Sequence, residues 1–222
     1  MAPPAIRSVR AVPIALFMVL VFGITSPVLA QQTEEERVKS ERVSDILEIL
    51  GARDGAHIAD LGSADGFYTL RIAKAVAPSG RAYGVDIEEK SLARMRERAA
   101  KEDVTNIEAV LGTADDPKLP EGRLDAVLIR NAYHEMPEYV RILAAVRRSL
   151  KPGGILVVSE AITDAARQLT REQQVKEHYI AIEIVERELT EAGFEIVSRD
   201  EAFTRFTGAR IGGYWLIRVR RP

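Results

Sequence analysis

The chain contains no cysteine among its 222 residues, which removes disulfides, thiolate catalysis and cysteine metal sites together and is compatible with an oxidising compartment. Histidine is scarce: the three that occur, His57, His134 and His178, are far apart and give no metal-ligand spacing, so no metal is expected. Charge of one sign is lacking as well. The formal net charge is −2, and it becomes about −4 when Arg7 and Arg10 are removed with the N-terminal segment described below. A nucleic-acid groove would need a basic face, so nucleic acid is not an expected partner. There is no repeat, low-complexity tract or second domain, and a composition 46% hydrophobic and 29% charged suits one compact soluble domain.

Long apolar runs are missing too, with one exception. Arg7 and Arg10 precede the run Ala11 to Ile24, which is followed by Ser26-Pro27, then Val28-Leu29-Ala30, then the polar Gln31-Gln32-Thr33-Glu34-Glu35-Glu36. This is the form of a secretory signal peptide, with cleavage expected after Ala30. The alternative is an uncleaved anchor, but a spanning helix wants roughly 20 apolar residues and this run is shorter. With the arginines held inside, either form puts the globular domain outside the cytoplasm, in the periplasm. A membrane is met only through this segment.

The organisation expected is therefore a signal peptide over 1–30 and one domain over 31–222. Thr33 to Leu50 reads as a helix that packs by one face and lids the cleft, ended by Gly51. Strands and helices then alternate. Strands are expected near 56–61, 81–86, 106–110, 124–130 and 154–159, and helices near 67–76, 88–100 and 137–150. Such alternation predicts right-handed crossovers and a parallel sheet with helices on both faces. A long helix from about Thr170 to Ala192 then leads to strands near 194–198 and 214–219, whose short connection makes them antiparallel.

The most informative stretch is His57 to Leu70. Ile58-Ala59 and Leu61 suit a strand covered on both faces, and Gly62, Ala64 and Gly66 form a turn that opens directly into a helix. A second short strand, Arg81 to Asp86, ends in a carboxylate at the place where nucleotide-binding α/β domains hold a ribose. A dinucleotide fingerprint would need G-x-G-x-x-G. Here the spacing differs, and Asp60 and Asp65 would repel a pyrophosphate while attracting an amino group.

At these residues the chain resembles the class I S-adenosylmethionine-dependent methyltransferases, and the resemblance runs from about Asp45 onward. Asp60 to Gly66 is similar to the family's first motif, with Ala64 where a glycine is usual, and Asp86 is similar to its ribose-binding acid. Gly112-Thr113-Ala114-Asp115-Asp116 resembles the loop that meets the adenine. Leu124 to Glu135 resembles the fourth strand and the loop facing the reaction centre, and Leu150 to Val158 the turn into the fifth strand. The nearest pattern is the small-molecule group that includes quinone-biosynthesis methyltransferases. The resemblance implies an α/β fold with a doubly wound, seven-stranded, mostly parallel sheet and an antiparallel edge strand, the Rossmann-like methyltransferase fold. Within it, 33–50 would be the N-terminal helix, 56–160 the cofactor-binding core and 194–222 a closing hairpin. It implies S-adenosylmethionine as cofactor, contacted by Asp60, Gly62, Ala64, Gly66, Asp86, Ile87, Ala114, Asp115, Arg130 and Asn131.

Methyl transfer needs acceptor, methyl and sulfur held in line, and orientation alone supplies roughly 7–11 kcal/mol of barrier reduction. A weakly acidic acceptor also needs a base. Tyr133, His134 and Glu135 follow the fourth strand at its carboxyl end, where open α/β sheets bind ligands. The expectation is His134 as base or acceptor-orienting group, with Glu135 or Asn131 assisting. Each residue has a plainer reading: His134 as a loop cap, Asp115-Asp116-Pro117 as an ordinary turn, Arg130 as a solvated strand end, and His178 and Tyr179 as helix packing. Two functions stay open. One is an exported methyltransferase acting on a small or envelope-associated acceptor, and the other an exported binding protein that keeps the nucleoside pocket without transfer. A nicotinamide oxidoreductase is disfavoured by the glycine spacing.

Overall fold

The computed structural model describes residues 33–205 and 212–222. The signal segment expected over 1–30 lies outside the described residues. From Glu34 onward the chain forms one unit, running α1 (Glu34–Ser40), α2 (Val43–Ile49), β1 (His57–Leu61), α3 (Phe67–Val76), β2 (Arg81–Asp86), α4 (Glu89–Lys101), β3 (Ile107–Leu111), β4 (Leu124–Arg130), α5 (Tyr139–Ser149), β5 (Leu150–Thr163), α6 (Arg171–Lys176), α7 (Ile182–Glu191), β6 (Glu195–Arg205) and β7 (Gly212–Arg220). The strands make one seven-stranded sheet in the order β3-β2-β1-β4-β5-β7-β6. β7 is antiparallel to both of its neighbours, while the pairs from β3 through β5 are parallel. The fold is the one expected, with the antiparallel strand next to the end and β6 outermost.

Burial follows the period of two that a sheet covered on both faces imposes. In β4, Val127 and Ile129 join the layer that includes Leu143, Val146, Val185 and Trp215, whereas Ala126 and Leu128 face the layer of Ile46, Ile72, Val76 and Phe203. β3 closes one edge and is only half-buried.

Four elements differ from expectation, the first being β6, expected near 194–198 and running Glu195–Arg205. The helix read over 33–50 is two short helices, because Arg42 takes a left-handed backbone conformation (φ 51) between them. Its guanidinium donates to the Phe203 carbonyl at 2.9 Å and stacks over the Phe203 ring, anchoring the bend to β6. The helix read over 170–192 is also two. α6 ends after Lys176, His178 turns left-handed (φ 60), and the chain runs extended before α7. Buried Gln174 holds this break, donating to the Leu169 carbonyl at 3.0 Å and accepting from the Ala181 amide at 2.7 Å. Trp215 adds a bond to the Ile180 carbonyl at 2.8 Å. Finally, β5 spans 14 residues rather than 154–159, since β7 pairs along it as far as Thr163.

Candidate active site

The sheet order reverses between β1 and β4, and ligands of open α/β sheets bind outside the carboxyl ends of strands at such a switch point. Three loops converge there. After β1, the Gly62 and Ser63 amides both donate to the Val85 carbonyl at 2.9 Å, which ties the turn to β2. Gly62 has φ +83, and a Cβ on it would come within 2.4 Å of the Ala132 Cβ, so only glycine lets the β1 and β4 loops touch. Ala64 (φ 48) and Asn131 (φ 52) also hold left-handed backbones. Strained residues of this kind collect where a site over-determines the chain.

Between these loops lies a cavity of about 420 Å³ lined by Leu61, Gly62, Ala64, Val85, Asp86, Ile87, Gly112, Thr113, Ala114, Pro117, Asn131, Ala132, Glu135, Met136, Pro137 and Ile142. Its size falls in the ordinary range for small-molecule sites. At its floor the Asp86 carboxylate accepts from the Ala64 amide on Oδ2 and from the Glu88 amide on Oδ1, each at 2.9 Å, and lone pairs remain for a ligand. Ile87 is 63% exposed although large and apolar, which makes it an open wall of that cavity.

A second, more polar hollow of about 180 Å³ meets the first at Gly62, Ala64 and Asn131 and is lined further by Arg37, Glu41, Asp60, Ser63, Asp65, Phe67, Tyr68, Arg130 and Tyr214. Burial pushes the Asp60 carboxyl up to about 6, against hydrogen bonds from Thr69 and with help from the negative charges of Asp86 and Asp65. Thr69 Oγ1 donates to it at 2.6 Å. Among the described residues the buried Ser63 Oγ has no partner. The Arg130 side chain is 96% buried: its Nη2 lies 3.5 Å from Glu41, and its guanidinium contacts the Tyr68 and Ser159 hydroxyls and stacks on Tyr214. Burial alone would raise the Glu41 pKa, but hydrogen bonds from Arg37 and Tyr68, with the Arg130 charge, hold it below the usual carboxylate value. The α1–α2 segment is thereby latched to the sheet.

On the far side of Glu135 lies a third hollow, lined by His134, Glu135, Met136, Pro137, Arg171, Val175 and His178. His134 sits in a short 3-10 turn, Tyr133–Glu135, and is buried. Its Nδ1 lies 2.7 Å from Glu160 Oε2, while Glu160 Oε1 accepts the Ala132 and Tyr133 amides at 2.7 and 2.6 Å. Burial disfavours a charged imidazole, but the Glu160 hydrogen bond and the charges of Glu160 and Glu135 prevail and raise the His134 pKa.

Of the residues singled out from sequence, the fold gathers Asp60, Gly62, Ala64, Asp86, Ile87, Ala114, Arg130, Asn131 and Glu135 around the two joined hollows, with His134 just beyond. Three stand apart. Gly66 caps α3 against Met95 and does not line the cleft. Asp115 turns outward, its carboxyl held low by the Thr113 hydroxyl and then by Arg141, which approaches to 3.0 Å. Tyr133 points into the core and donates to Glu188 at 2.8 Å, so it holds the loop rather than reaching a ligand. The reading that three distant histidines exclude metal spacing also needs correction, because the rings of His134 and His178 are 5.6 Å apart. Sequence reasoning missed Glu160, Ser63, Glu41 and Tyr214. Glu160 carried a usable signal: a carboxylate two residues after Val158, the last of the apolar run Ile155 to Val158, and just past Ser159, where the pairing of β5 with β4 ends.

Comparison with known proteins agrees with this architecture. Residues 52–203 match the family model described as a methyltransferase domain. Over 127 residues the chain is 31% identical to demethylmenaquinone methyltransferase of Staphylococcus aureus, a match covering 57% of this chain and 51% of that protein. The chain thus spans about a third to a half of the length of the curated relatives it matches. Among solved structures, a SAM-dependent methyltransferase from Aquifex aeolicus superposes with a TM-score of 0.69 at 20% identity, covering 84% of this chain and 93% of that one. The [4+2]-cyclase SpnF superposes with a TM-score of 0.72 at 20% identity, covering 84% and 83%. The family model covers well over half of the sequence, and the chain belongs to the methyltransferase domain family.

Proposed function

We propose that this protein transfers a methyl group from S-adenosylmethionine to a small-molecule acceptor. The observation that carries the reading is the pair of joined hollows at the switch point. The larger is apolar with a carboxylate, Asp86, at its floor, and the smaller is polar with Asp60, an unpartnered Ser63 hydroxyl and Arg130. That division suits a nucleoside in the first and an amino-acid tail in the second. S-adenosylmethionine supplies an electrophilic methyl group on a sulfonium. Asp86 offers acceptors to ribose hydroxyls, and Ile87, Ala114 and Pro117 offer apolar surface to a base. Asp60 and Ser63 meet an amino group or its bridging water. His134, fixed through Nδ1 by Glu160, turns Nε2 toward Glu135 and stands on the acceptor side, where it helps to place the acceptor's heteroatom.

Fold alone does not carry transfer, since one protein of similar fold is named a cyclase. What favours transfer over mere binding is the buried, oriented imidazole beside the cleft, which a binding protein does not need. We further propose export, on the arginine-flanked apolar run before Ala30, so that the working acceptor is small or envelope-associated. Calorimetric titration with S-adenosylmethionine, S-adenosylhomocysteine and NAD is expected to show the first two binding and the third silent; tight NAD binding would reverse the assignment. Transfer itself is read by incubating the protein and labelled cofactor with a cell-envelope extract. Product that appears with the wild type and not with His134→Ala supports it, and cofactor binding with no labelled product in any fraction favours the binding protein. Protein recovered from the envelope is expected to begin at Gln31.

A further inference from the structure

We propose that His134, Glu135 and His178 form a site for a divalent first-row transition metal ion, with Zn2+ the natural probe. The fold brings these residues together from two separate elements, the turn after β4 and the chain just past α6. His134 Nε2 lies 3.7 Å and His178 Nδ1 3.9 Å from Glu135 Oε1, and one ligand atom from each residue falls within 4.8 Å of the others. Two ligand atoms each about 2.1 Å from a tetrahedral ion are about 3.4 Å apart. Two of the three spacings are therefore nearly those of a coordinated ion, and Glu135 and His178, 66% and 76% exposed, are free to close the rest.

The observation that points to a metal is what lies behind His134. A metal-bound imidazole characteristically donates its other N–H to a carboxylate, which fixes the tautomer and aims the ligating nitrogen. Buried Glu160 does this here: its Oε1 is taken by two backbone amides, its Oε2 by His134 Nδ1. Nε2 is left buried, facing Glu135 at a distance too long for a hydrogen bond. Two imidazoles and one carboxylate suit zinc or a neighbouring transition ion rather than magnesium or calcium, which prefer all-oxygen shells. Three protein ligands leave a coordination position open, as in catalytic rather than structural sites.

The three residues line a hollow of about 220 Å³ whose wall also holds Arg171, and a further ligand would enter from there. Arg171 Nε donates to Glu188, while its buried Nη2 has no partner among the described residues. An anionic oxygen ligand would meet both the ion and this guanidinium. Glu135 also borders the cofactor cavity, so the ion would hold an acceptor oxygen beside it and stabilise its deprotonated form. This use of the ion rests on the methyl-transfer reading; the metal site itself does not.

The test uses the full chain without a histidine tag, stripped with a chelator and titrated with Zn2+ by calorimetry and with Co2+ by visible absorption. One saturable ion per chain is expected, with Zn2+ affinity weakened by about tenfold or more in His178→Ala and in Glu135→Ala, and unchanged in His57→Ala, which alters a histidine distant from the cluster. The two ligand variants change exposed side chains, so their folding is expected to be intact, and circular dichroism checks it. S-adenosylmethionine binding by His178→Ala is measured on the same preparation, which separates failure of the metal site from failure of the cofactor assignment. No saturable Zn2+ binding by the wild type, or wild-type affinity retained in His178→Ala and Glu135→Ala, overturns the proposal.

Discussion

Glu160 and His134, 26 residues apart in sequence, meet at 2.7 Å between Oε2 and Nδ1 with both side chains out of water. The same carboxylate accepts the amides of Ala132 and Tyr133, so one side chain of β5 sets both the path of the loop after β4 and the orientation of its imidazole. Glu160→Gln keeps the shape but trades an acceptor for an amide N–H2 group that clashes with a donating Nδ1–H. The amide then turns the imidazole to its other tautomer or leaves a buried donor unpaired, at a cost of roughly 1–3 kcal/mol. Expected results are a lower midpoint in urea unfolding and a larger fall in turnover than in cofactor affinity. A variant with wild-type turnover would mean that the orientation of His134 does not matter to the reaction.

Asp86 and Asp115 both come from loops expected to touch the cofactor, yet only Asp86 faces the cavity. Asp86→Ala removes the acceptor offered to ribose and frees the Ala64 and Glu88 amides, so S-adenosylmethionine affinity is expected to fall by roughly 1–3 kcal/mol, from fivefold to over a hundredfold. Asp115→Ala breaks an exposed pair with Arg141, and exposed pairs contribute about 0–1 kcal/mol. Calorimetry on both variants is expected to show Asp115→Ala within about threefold of wild type. Equal losses in the two would place the adenosyl group differently from the proposal.

What was legible in the sequence is what is local. The strand, glycine turn and helix from His57 to Val76 follow from an apolar run, a residue spacing and a helical period, and the parallel pairing of β1 to β5 follows from α/β alternation. The breaks at Arg42 and His178 were hidden because neither glycine nor proline marks them. Arg42 is held by Phe203 of β6, and the break at His178 is bridged by buried Gln174 and tied to β7 by Trp215. The meeting of His134 with Glu160 and His178 was hidden for the same reason, since it depends on how β4, β5 and α6 are brought together and on nothing in their spacing.

Arg130 ends β4 as a charge, yet its side chain is 96% buried. Its guanidinium holds Glu41 from the N-terminal segment, the Tyr68 and Ser159 hydroxyls and the ring of Tyr214. Arg130→Met keeps much of the stem volume but strands Glu41, and breaking such a pair costs roughly 3 kcal/mol, the low end because Glu41 still reaches water. The expected outcome is a fall of that order in urea unfolding, with faster proteolytic cleavage between α1 and α2. Glu41, held below 4.5 in the folded chain, contributes stability that is present above that pH and lost on acidification. The wild type is therefore expected to lose more stability than Arg130→Met as the pH falls through this range. Identical acid profiles would show that Glu41 and Arg130 are not coupled.

Asp60 acts in the opposite direction. Folded, it keeps its proton up to about pH 6, whereas the unfolded chain releases it near 3.8. Between these values the folded state binds more protons, so stability falls as pH rises, and above about 6 the full cost is present. The gap corresponds to a cost on the order of 3 kcal/mol. Asp60→Asn, uncharged throughout and still within reach of the Thr69 hydroxyl at 2.6 Å in the parent, is expected to lack this slope and to exceed the wild type in stability at neutral pH. A cofactor carrying an ammonium and a sulfonium benefits from the ionised carboxylate, so wild-type affinity is expected to rise as pH passes through about 6 and Asp60→Asn affinity to stay low and flat. Urea unfolding and calorimetry at a series of pH values from 4 to 7 read both effects. Parallel slopes in the two proteins would assign the proton to another group, while a steep stability slope without a matching change in affinity would move the amino end of the cofactor away from Asp60.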